Sequence, residues 1–406
     1  MKKLNICLIN DSFPPTIDGV ANTVVNYGTI INRDLGYATV ATPAYPDVDD
    51  SGIPFPVIRY PSVPVTKPEG YRAGYPFSLG VLNRLEESGF DLIHAHCPLT
   101  ATILGRALRR RIDVPLVLTY HTKFDIEIAK MMHGKLLQES ATKMLVNVIE
   151  ACDEIWVVSR GAGENLRKLG FQGECLVMPN GVDFPKTPIE DALIREVTRG
   201  CDLPEDVPMF LFVGRMMWYK GVRLILDALA ALHGEGRDFR MVFVGGGADR
   251  EQIIQYADTL AMGQKVCFVE PELDRDRLHA WYSRADLFLF PSTFDTNGLV
   301  VGEAAASALA SVLVKDSCAA ENVTDGVNGF LVEENAASLA ALLRRIMDDR
   351  ALLRRIGENA QRDLYLSWDD AVHMAYERYG TVIENYRSSG ESRRNRDRHA
   401  SEDEWL

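Results

Sequence analysis

The most constraining feature of this sequence is an alternation of short apolar runs with amphipathic stretches, which occurs twice along the chain. In the first half, Leu4–Ile9 and Leu116–Tyr120 have the length and content of buried strands, and Thr100–Arg111 has a helical spacing of apolar residues. Strands that alternate with helices form a parallel sheet covered by helices. The pattern therefore predicts an α/β fold.

The alternation stops after Glu174–Met178 and restarts at Phe210–Val213, and the segment from Phe184 to Pro208 between them contains four prolines. A chain of 406 residues is too long for one ordinary core. We therefore predict two Rossmann-like, doubly wound domains in tandem, with the cleft between them as the natural active site. The predicted parts are a first domain (1–184), a linker (185–208), a second domain (209–368), a helix that packs back on the first domain (369–387) and a disordered tail (388–406).

Composition narrows the classes of partner and location. The net charge of −13 argues against nucleic acid as the main partner. No run of about 18 apolar residues occurs, so we expect no membrane span, and Leu4–Ile9 is typical of a first strand rather than a signal peptide. The seven cysteines are scattered without a CxxC pair, and we expect free thiols in a reducing cytoplasm.

Two strand-to-helix segments in the second half carry the strongest signals for a ligand. In GRMMWYKG, Arg215 and Lys220 bracket a loop that leads into a helix, where two cations could hold a diphosphate without a metal. In PSTFDTNGLVVGEAAA, Asp295 and Glu303 bracket the start of another helix, with seven residues between them. Free N–H groups at a helix start suit an anionic ligand. The alternatives are surface charges, a helix-capping Asp and a solvated Glu.

Weaker candidates follow other predicted strands. In PPTIDGV, Gly19 opens a helix, but the GxGxxG of a dinucleotide cradle is absent. The turn Val244–Gly247 suits either backbone approach to a ligand or an ordinary strand–helix turn. His121 ends a strand, where a hydrogen-bonding group would be useful. His94 and His96 have a spacing that could suit a metal, but they lack an acidic partner, and we favour packing and loop hydrogen bonds.

Six segments together carry a resemblance to a known family: PPTIDGV, TYHT, MPNGVD, VGRMMWYKG, VGGG and PSTFDTNGLVVGEAAA. In this order and spacing the chain resembles a GT-B glycosyltransferase, and it is similar to the large retaining family 4 (group 1). The resemblance extends from Asn5 to about Arg387. VGRMMWYKG and DTNGLVVGEA are its most specific elements.

The resemblance implies a role for each candidate residue. Arg215 and Lys220 would grip the donor diphosphate, and Glu303 would bind the ribose hydroxyls. Asp295 stands where the family usually has the first glutamate of an E-x7-E pattern and would contact the transferred sugar, although it is one methylene shorter. His121 would lie near the reacting carbon and the acceptor. The other donor-binding residues that it implies are Gly19, Val20, Glu270, Leu273, Asn297, Gly298 and Leu299.

The implied activity is transfer of a hexose, with retention, from a nucleotide-diphosphate sugar to a hydroxyl acceptor. A UDP-sugar is favoured as donor, and the resemblance implies that neither a metal nor another cofactor is needed. Three alternatives stay open: a nucleotide-sugar epimerase of the same fold, a phosphorylase with a lysine-bound pyridoxal group, and a non-catalytic sugar-nucleotide binding protein.

Two segments of the first half bear on the acceptor. Thr66–Ser78 mixes aromatic and basic residues, and Lys123–Cys152 mixes lysines with methionines and leucines in a helical pattern. A basic amphipathic surface suits an anionic membrane; the alternative is a core helix with a solvated lysine face. The chain also resembles family members that glycosylate diacylglycerol or other lipids. We therefore expect a lipid acceptor, and a cytoplasmic enzyme bound peripherally at the inner face of the plasma membrane.

Overall fold

The computed structural model describes residues 3–16, 18–65, 72–124, 128 and 134–389, and it divides into two compact units. Unit 1 holds the described residues up to Asn180 together with those from Trp368 onward, and unit 2 is Gly181–Ser367. Each unit contains a parallel sheet covered by helices. The prediction of two Rossmann-like α/β domains is therefore confirmed.

The strands of unit 1 are β1 (Asn5–Ile9), β2 (Tyr37–Pro43), β3 (Val57–Tyr60), β4 (Ser62–Pro64), β5 (Arg72–Gly74), β6 (Leu92–Ala95), β7 (Leu116–Tyr120), β8 (Glu154–Val157) and β9 (Cys175–Val177). Its helices are α1 (Gly19–Ile30), which continues into a π-helical turn, α2 (Leu79–Glu87), α3 (Thr100–Ile112), α4 (Lys135–Glu150), α5 (Arg160–Lys168) and the C-terminal α13 (Trp368–Ser388). The main sheet has the parallel order β3-β2-β1-β6-β7-β8-β9, while β4 and β5 form an antiparallel hairpin. Strand order reverses between β1 and β6, so the carboxyl ends of these strands form a switch point.

The strands of unit 2 are β10 (Met209–Val213), β11 (Arg240–Val244), β12 (Val266–Val269), β13 (Leu287–Phe290), β14 (Ser311–Val314) and β15 (Phe330–Val332). Its α-helices are α6 (Asp191–Thr198), α7 (Val222–Gly234), α8 (Arg250–Thr259), α9 (Arg275–Arg284), α10 (Leu299–Ala306), α11 (Ala336–Ile346) and α12 (Arg350–Asp363). The sheet is parallel in the order β12-β11-β10-β13-β14-β15. Every residue of β10 and β13 is buried, as expected for central strands covered on both faces. The switch point lies between these two strands.

The C-terminal helix α13 packs on unit 1 through one apolar face that includes Tyr376 and Tyr379. The Tyr376 hydroxyl accepts a hydrogen bond from the Leu4 backbone N–H at 2.7 Å. Arg378 forms an ion pair of 2.6 Å with Glu154 at the start of β8. These contacts hold α13 against the amino ends of β1 and β8 in the same sheet.

Residues 185–208 are not a linker but part of unit 2, which corrects the prediction made from their prolines. Helix α6 packs against α9, and its Val197 is buried in the core of unit 2 together with Phe184. The prolines bound a short surface helix because they cannot continue one. Contact with a distant helix, which local composition does not encode, attaches this segment to the unit.

Two cysteines depart from the expectation of free thiols. Cys201 and Cys267, which are 66 residues apart in the chain, form a disulfide that joins the segment after α6 to β12. The free cysteines are Cys7, Cys97, Cys152, Cys175 and Cys318. Scattered spacing could not reveal the pair because the fold, not the sequence, brings its two Cα atoms to 6.1 Å.

Candidate active site

Two loops meet at the switch point of unit 2. The first joins β10 to α7 and contains Arg215 and Lys220, and the second joins β13 to α10 and contains Asp295. Gly221, with φ of 77°, allows close contact between them, since a Cβ there would lie 2.3 Å from the Pro291 carbonyl oxygen. The position therefore needs both a left-handed backbone and the absence of a side chain.

Lys220 and Asp295 form an ion pair between these loops. The Lys220 Nζ lies 2.5 Å from Asp295 Oδ1, and Ser292 Oγ donates to the other carboxylate oxygen at 2.6 Å. The rings of Tyr219, Phe290 and Phe294 lie 5.7–5.9 Å from the Lys220 ammonium. Burial lowers the pKa of Lys220, and the Asp295 carboxylate partly offsets that effect. The chain therefore keeps a desolvated cation with one acidic partner at the switch point.

Arg215 lies on the same loop but is exposed, and its side chain forms no hydrogen bond or ion pair within the described part of the chain. Its positive charge repels that of Lys220 and further lowers the pKa of Lys220. An anion that bound both side chains would relieve this repulsion. This arrangement suits a diphosphate, whose oxygens can accept charge-assisted hydrogen bonds.

The start of α10 completes the second loop. Gly298, with φ of 62°, precedes the helix, and no side chain caps it. Asn297 and Leu299 flank this glycine. The Val301 N–H already donates to the Gly298 carbonyl at 2.8 Å, whereas N–H groups at a helix start lack partners further along the helix and suit a ligand with negative charge. A Cβ at Gly298 would meet Ala319 at 2.9 Å, so packing also demands glycine there.

Glu303 lies in the second turn of α10. It is buried, and both of its carboxylate oxygens accept hydrogen bonds. Arg275 donates to Oε1 at 2.6 Å, and the Tyr282 hydroxyl donates to Oε2 at 2.9 Å. Burial lowers the pKa of Arg275, but Glu303 and Asp183 outweigh it and the net pKa is raised. Burial and Glu303 raise the pKa of the Tyr282 hydroxyl. Arg275 and Tyr282 were not predicted from the sequence, because they lie in helix α9 and belong to no recognisable motif.

Arg275 is itself positioned by two further residues. Its Nε lies 3.4 Å from Asp183, and its guanidinium stacks over Phe184 at 4.5 Å. The MPNGVD segment therefore supplies side chains that hold the partner of Glu303. This role was not evident from the segment alone.

The glycine-rich turn after β11 serves loop packing. A Cβ at Gly245 would lie 2.0 Å from the Gly214 carbonyl oxygen, and one at Gly247 would lie 2.5 Å from the Met216 carbonyl oxygen. The Met216 N–H also donates to the Gly246 carbonyl at 2.7 Å. These glycines shape the loop that carries Arg215.

The predicted donor-binding residues Glu270 and Leu273 follow β12, two strands from the switch point. Glu270 is exposed and pairs with Arg250 at 2.7 Å, and Leu273 is exposed as well. Neither side chain contacts Lys220 or Glu303. Their proposed role therefore depends on the backbone of this loop.

In unit 1, the start of α1 is already capped. Asp18 accepts hydrogen bonds from the N–H groups of Val20 and Ala21 at 2.9 and 2.8 Å, and Ser12 donates to the same carboxylate. Val20, which was expected to bind the donor, thus has its backbone N–H engaged by the cap. Gly19 remains as the candidate for close backbone approach.

His121 lies at the end of β7 and is buried. Its Nε2 is 3.2 Å from Nδ1 of His96, and burial lowers the pKa of His121 to about 3. His94 bonds Tyr379 and Thr119, which agrees with the packing role expected for it. Among the residues that the structure describes, no group of three His, Cys, Asp or Glu side chains could hold a metal ion.

The surface expected to meet a membrane is partly described. On α4, Leu136, Leu137 and Met144 are 77%, 60% and 63% exposed, and Lys135 and Lys143 are also exposed. The opposite face of the helix is buried, so α4 is amphipathic with apolar groups on its outer side as well.

The expected acceptor loop forms part of the β4–β5 hairpin. Tyr75 and Phe77 are exposed beside this hairpin and make an edge-to-face contact. Residues 66–71, with Lys67 and Tyr71, lie outside the described residues, as do Lys130, Met131 and Met132. No helix in the described part of the chain is long and apolar enough to cross a membrane.

Comparison with known families matches both halves of the chain. Residues 17–185 match the model "Glycosyltransferase Family 4", and residues 195–363 match "Glycosyl transferases group 1". A D-inositol 3-phosphate glycosyltransferase of Xylanimonas cellulosilytica is 30% identical over 312 residues, covering 73% of this chain and 74% of that protein. An alpha-monoglucosyldiacylglycerol synthase of Streptococcus pneumoniae is 24% identical over 308 residues, covering 75% and 69%.

Solved structures share the arrangement of elements. Anabaena HepE, in complex with UDP and glucose, matches with a TM-score of 0.72 and 19% identity over 93% of this chain and 100% of that one. The sucrose-phosphate synthase of Thermosynechococcus elongatus matches with a TM-score of 0.74 and 22% identity, covering 94% and 100%. At these identities the likeness shows the fold.

Proposed function

Because the chain belongs to the group 1, family 4 glycosyltransferases of GT-B fold, we propose that it transfers a hexose from a nucleotide-diphosphate sugar to a hydroxyl acceptor with retention. The observation that carries this proposal is the set of two cations and two carboxylates at the switch point of unit 2. These are Arg215, Lys220, Asp295 and Glu303. A UDP-sugar is the favoured donor, since a similar structure contains UDP.

In this proposal, Arg215 and Lys220 bind the donor diphosphate. Negative charge develops on the diphosphate as the sugar departs, and preorganised cations stabilise charge that forms in the transition state. The N–H groups around Asn297, Gly298 and Leu299 add helix-start donors for the same group. Two fixed cations supply the charge that a metal ion would otherwise provide, so we propose metal-independent transfer.

Asp295 and Glu303 take the hydroxyl groups of the donor. Each oxygen of Glu303 has a second lone pair beyond its bond to Arg275 or Tyr282, and ribose hydroxyls can donate to these. Asp295 contacts the transferred sugar when Lys220 turns toward the diphosphate. Glu270 and Leu273 border the base, and Gly19 and Val20 approach the diphosphate through the backbone.

The bond changes follow from retention. The bond from the anomeric carbon to the diphosphate oxygen breaks with its electron pair leaving on that oxygen, which gives an oxocarbenium-like centre. The acceptor hydroxyl oxygen bonds to the same face of that carbon, and its proton passes to the departing phosphate. His121 contacts the reacting groups as a neutral hydrogen-bonding side chain, so no strong protein base is needed.

The decisive experiment combines a thermal-shift panel of nucleotide sugars with product analysis. A ligand that binds only the folded protein raises its unfolding temperature, and we expect UDP-sugars to do so. With donor and acceptor, NMR of the product gives its anomeric configuration, which we expect to match the donor. Inversion would contradict retention, conversion of donor alone would indicate an epimerase, and donor binding with no turnover would indicate a non-catalytic protein.

We further propose that the acceptor is a membrane lipid such as diacylglycerol, or another glycoconjugate precursor, reached by peripheral binding at the cytoplasmic face of the plasma membrane. A relative named as a monoglucosyldiacylglycerol synthase supports this choice, as does the exposed apolar and basic surface of α4. Lysines beside apolar side chains suit an anionic interface.

Vesicle co-sedimentation tests the lipid proposal. At low salt, we expect the protein to bind phosphatidylglycerol vesicles and the variant Leu136→Glu/Met144→Glu to lose that binding. Met374→Glu, which alters an exposed apolar residue of α13, is the matched control and should bind like the wild type. Absence of wild-type binding, or equal loss in the control, would rule out α4 as a membrane contact.

A further inference from the structure

Three histidines form a buried cluster at the carboxyl ends of β6 and β7 in unit 1. His94 and His96 lie on or directly after β6, and His121 directly follows β7. The ring centroids of His94 and His96 are 4.0 Å apart, and those of His96 and His121 are 5.4 Å apart with nearly parallel planes. His121 is the member to which the proposed function assigns contact with the reacting groups.

The hydrogen bonds divide this cluster into a structural and a coupled part. Both ring nitrogens of His94 have partners, the Tyr379 hydroxyl at 2.6 Å and the Thr119 hydroxyl at 2.7 Å. Only one nitrogen of the His96 ring has a hydrogen-bond partner within the described chain: its Nδ1 lies 3.2 Å from Nε2 of His121. The other ring nitrogen of His96, Nε2, is buried and has no hydrogen-bond partner within the described chain.

That unpartnered nitrogen decides which ring carries the shared proton. If His121 donated to His96, the proton of neutral His96 would sit on Nε2 as a buried N–H without an acceptor. If His96 donates instead, its Nε2 is a bare lone pair. Among backbone groups, buried N–H donors without a partner are rarer than buried acceptors without one, and the same preference applied to the His96 ring favours the second arrangement. His121 Nε2 then accepts, and the proton of His121 sits on Nδ1.

We propose that His96 is a positioning residue for transfer: its Nδ1–H donates to His121 Nε2, which fixes the His121 ring and makes His121 Nδ1 a hydrogen-bond donor. The inference rests on the proposed function, in which His121 meets the sugar or acceptor. A donor on Nδ1 can bind a hydroxyl oxygen of either one. A neutral ring also avoids repulsion with the positive charge that develops on the anomeric carbon.

Three substitutions separate positioning from packing. Asparagine places an amide group where Nδ1 of the imidazole lies, whereas glutamine places it near Nε2, and leucine has neither. We expect His96→Leu and His96→Gln to lower kcat about 10-fold to 100-fold, as losses of an orienting partner do at other sites, with little change in the KM for donor. His96→Asn should retain most of the turnover. Equal loss in the asparagine and glutamine variants would overturn the proposal.

The tautomer of His121 gives a readout that packing alone does not move. Long-range 1H–15N correlation spectra of the ligand-free, histidine-labelled full chain identify the protonated nitrogen, and His121→Asn assigns the signal. We expect Nδ1 to be protonated in the wild type and in His96→Asn, and a mixture of tautomers in His96→Leu. His373→Gln, which alters an exposed residue of α13, is the control and should leave the His121 signal unchanged.

The two readouts keep failures apart. A wild type protonated on His121 Nε2, or a tautomer unchanged in His96→Leu, overturns the positioning role whatever the activity. If the wild type transfers no sugar from any nucleotide donor, the proposed function fails, while the spectra still decide whether His96 sets the tautomer of His121.

Discussion

The carboxyl edges of the two sheets use opposite chemistry. In unit 2 the edge is charged, with the Lys220–Asp295 pair and the buried Glu303 held by Arg275. In unit 1 the edge is built around neutral, buried histidines packed among aromatic rings. A charged edge suits binding and stabilisation of a diphosphate, and a neutral edge suits hydrogen bonds to sugar hydroxyls beside a developing cation. In the proposed function, each edge therefore takes the part of the transfer that its own chemistry suits.

The charged edge is also self-compensated. Lys220 and Asp295 neutralise each other. In the proposed function, the donor diphosphate therefore replaces Asp295 as the partner of Lys220. Removal of one member of a buried ion pair leaves an uncompensated charge, which is usually more costly than removal of both. Binding and stability are therefore coupled at this site.

The largest expected effect comes from breaking the charged edge at Lys220. Lys220→Ala should reduce kcat about 10²–10³-fold, because it removes a preorganised cation from the leaving group. It should also lower the unfolding temperature, since Asp295 keeps its charge without the ammonium. Steady-state kinetics and thermal unfolding measure the two effects.

A double substitution separates the two effects. Lys220→Ala/Asp295→Ala should regain much of the lost stability but none of the turnover. Lys168→Ala, an exposed lysine of unit 1, is the control for loss of one positive charge and should match the wild type. Wild-type turnover in Lys220→Ala would exclude Lys220 from the donor site.

The neutral edge predicts a stability that depends on pH. Burial lowers the pKa of His94, His96 and His121 in the folded state, to about 3 for His121. Each imidazole takes up a proton on unfolding below its ordinary pKa of 6.5, so this contribution is present above 6.5 and is lost as pH falls. For three histidines the loss between pH 7 and pH 6 is about 2 kcal/mol of unfolding free energy.

Hydrogen exchange, corrected for intrinsic rates, resolves this loss by unit. Peptides from β6 and β7 should lose more protection at pH 6 than peptides from β10 and β13. Among the described histidines of unit 2, only His279 shares a lowered pKa. Equal losses in the two units would show that the buried histidines do not set the difference.

The sequence supported the architecture and the family, but not the pairing of side chains. Buried runs and helical spacing are local signals, and they led to two parallel sheets and to both loops at the switch point. The Lys220–Asp295 pair joins residues 75 apart, and Arg275 meets Glu303 across 28 residues. Such contacts depend on which loops and helices the fold brings together.

The roles of the site residues stay predictions, and two of them are modified by what surrounds them. Asp295 was expected to contact sugar alone, but it also holds Lys220. Val20 was expected to bind the donor, but the Asp18 cap engages its backbone N–H. In both cases the residue already bonds to a charged side chain of the protein, Lys220 for Asp295 and Asp18 for Val20. A sequence motif does not show which side chains the fold places beside it.

A smaller effect is expected at Arg275, which orients Glu303. Arg275→Met keeps a long apolar side chain beside Phe184 but removes the guanidinium that donates to Glu303, and it should raise the KM for donor about tenfold with kcat nearly unchanged. Arg277→Met is the matched control on the same helix, since Arg277 pairs with Glu196 and Glu272 instead. A KM raised equally in both variants would assign the effect to helix α9 rather than to Glu303.

The smallest effect is a shift in the alkaline limb of the pH profile, which tests whether Asp295 maintains the charge of Lys220. Burial and Arg215 lower the pKa of Lys220, whereas the Asp295 carboxylate raises it. Lys220 binds the diphosphate when protonated, so kcat/KM should fall as pH rises through that pKa. Asp295→Asn removes the charge that raises the pKa, and the limb should move to lower pH; Arg215→Gln should move it to higher pH. Asp295→Glu keeps the charge and should leave the limb near its wild-type position, whatever it does to the choice of sugar. If the alkaline limb of the pH profile kept its wild-type position in all three variants, a group other than Lys220 would be titrating. The charge of Lys220 would then not account for the difference between the carboxyl edges of the two sheets.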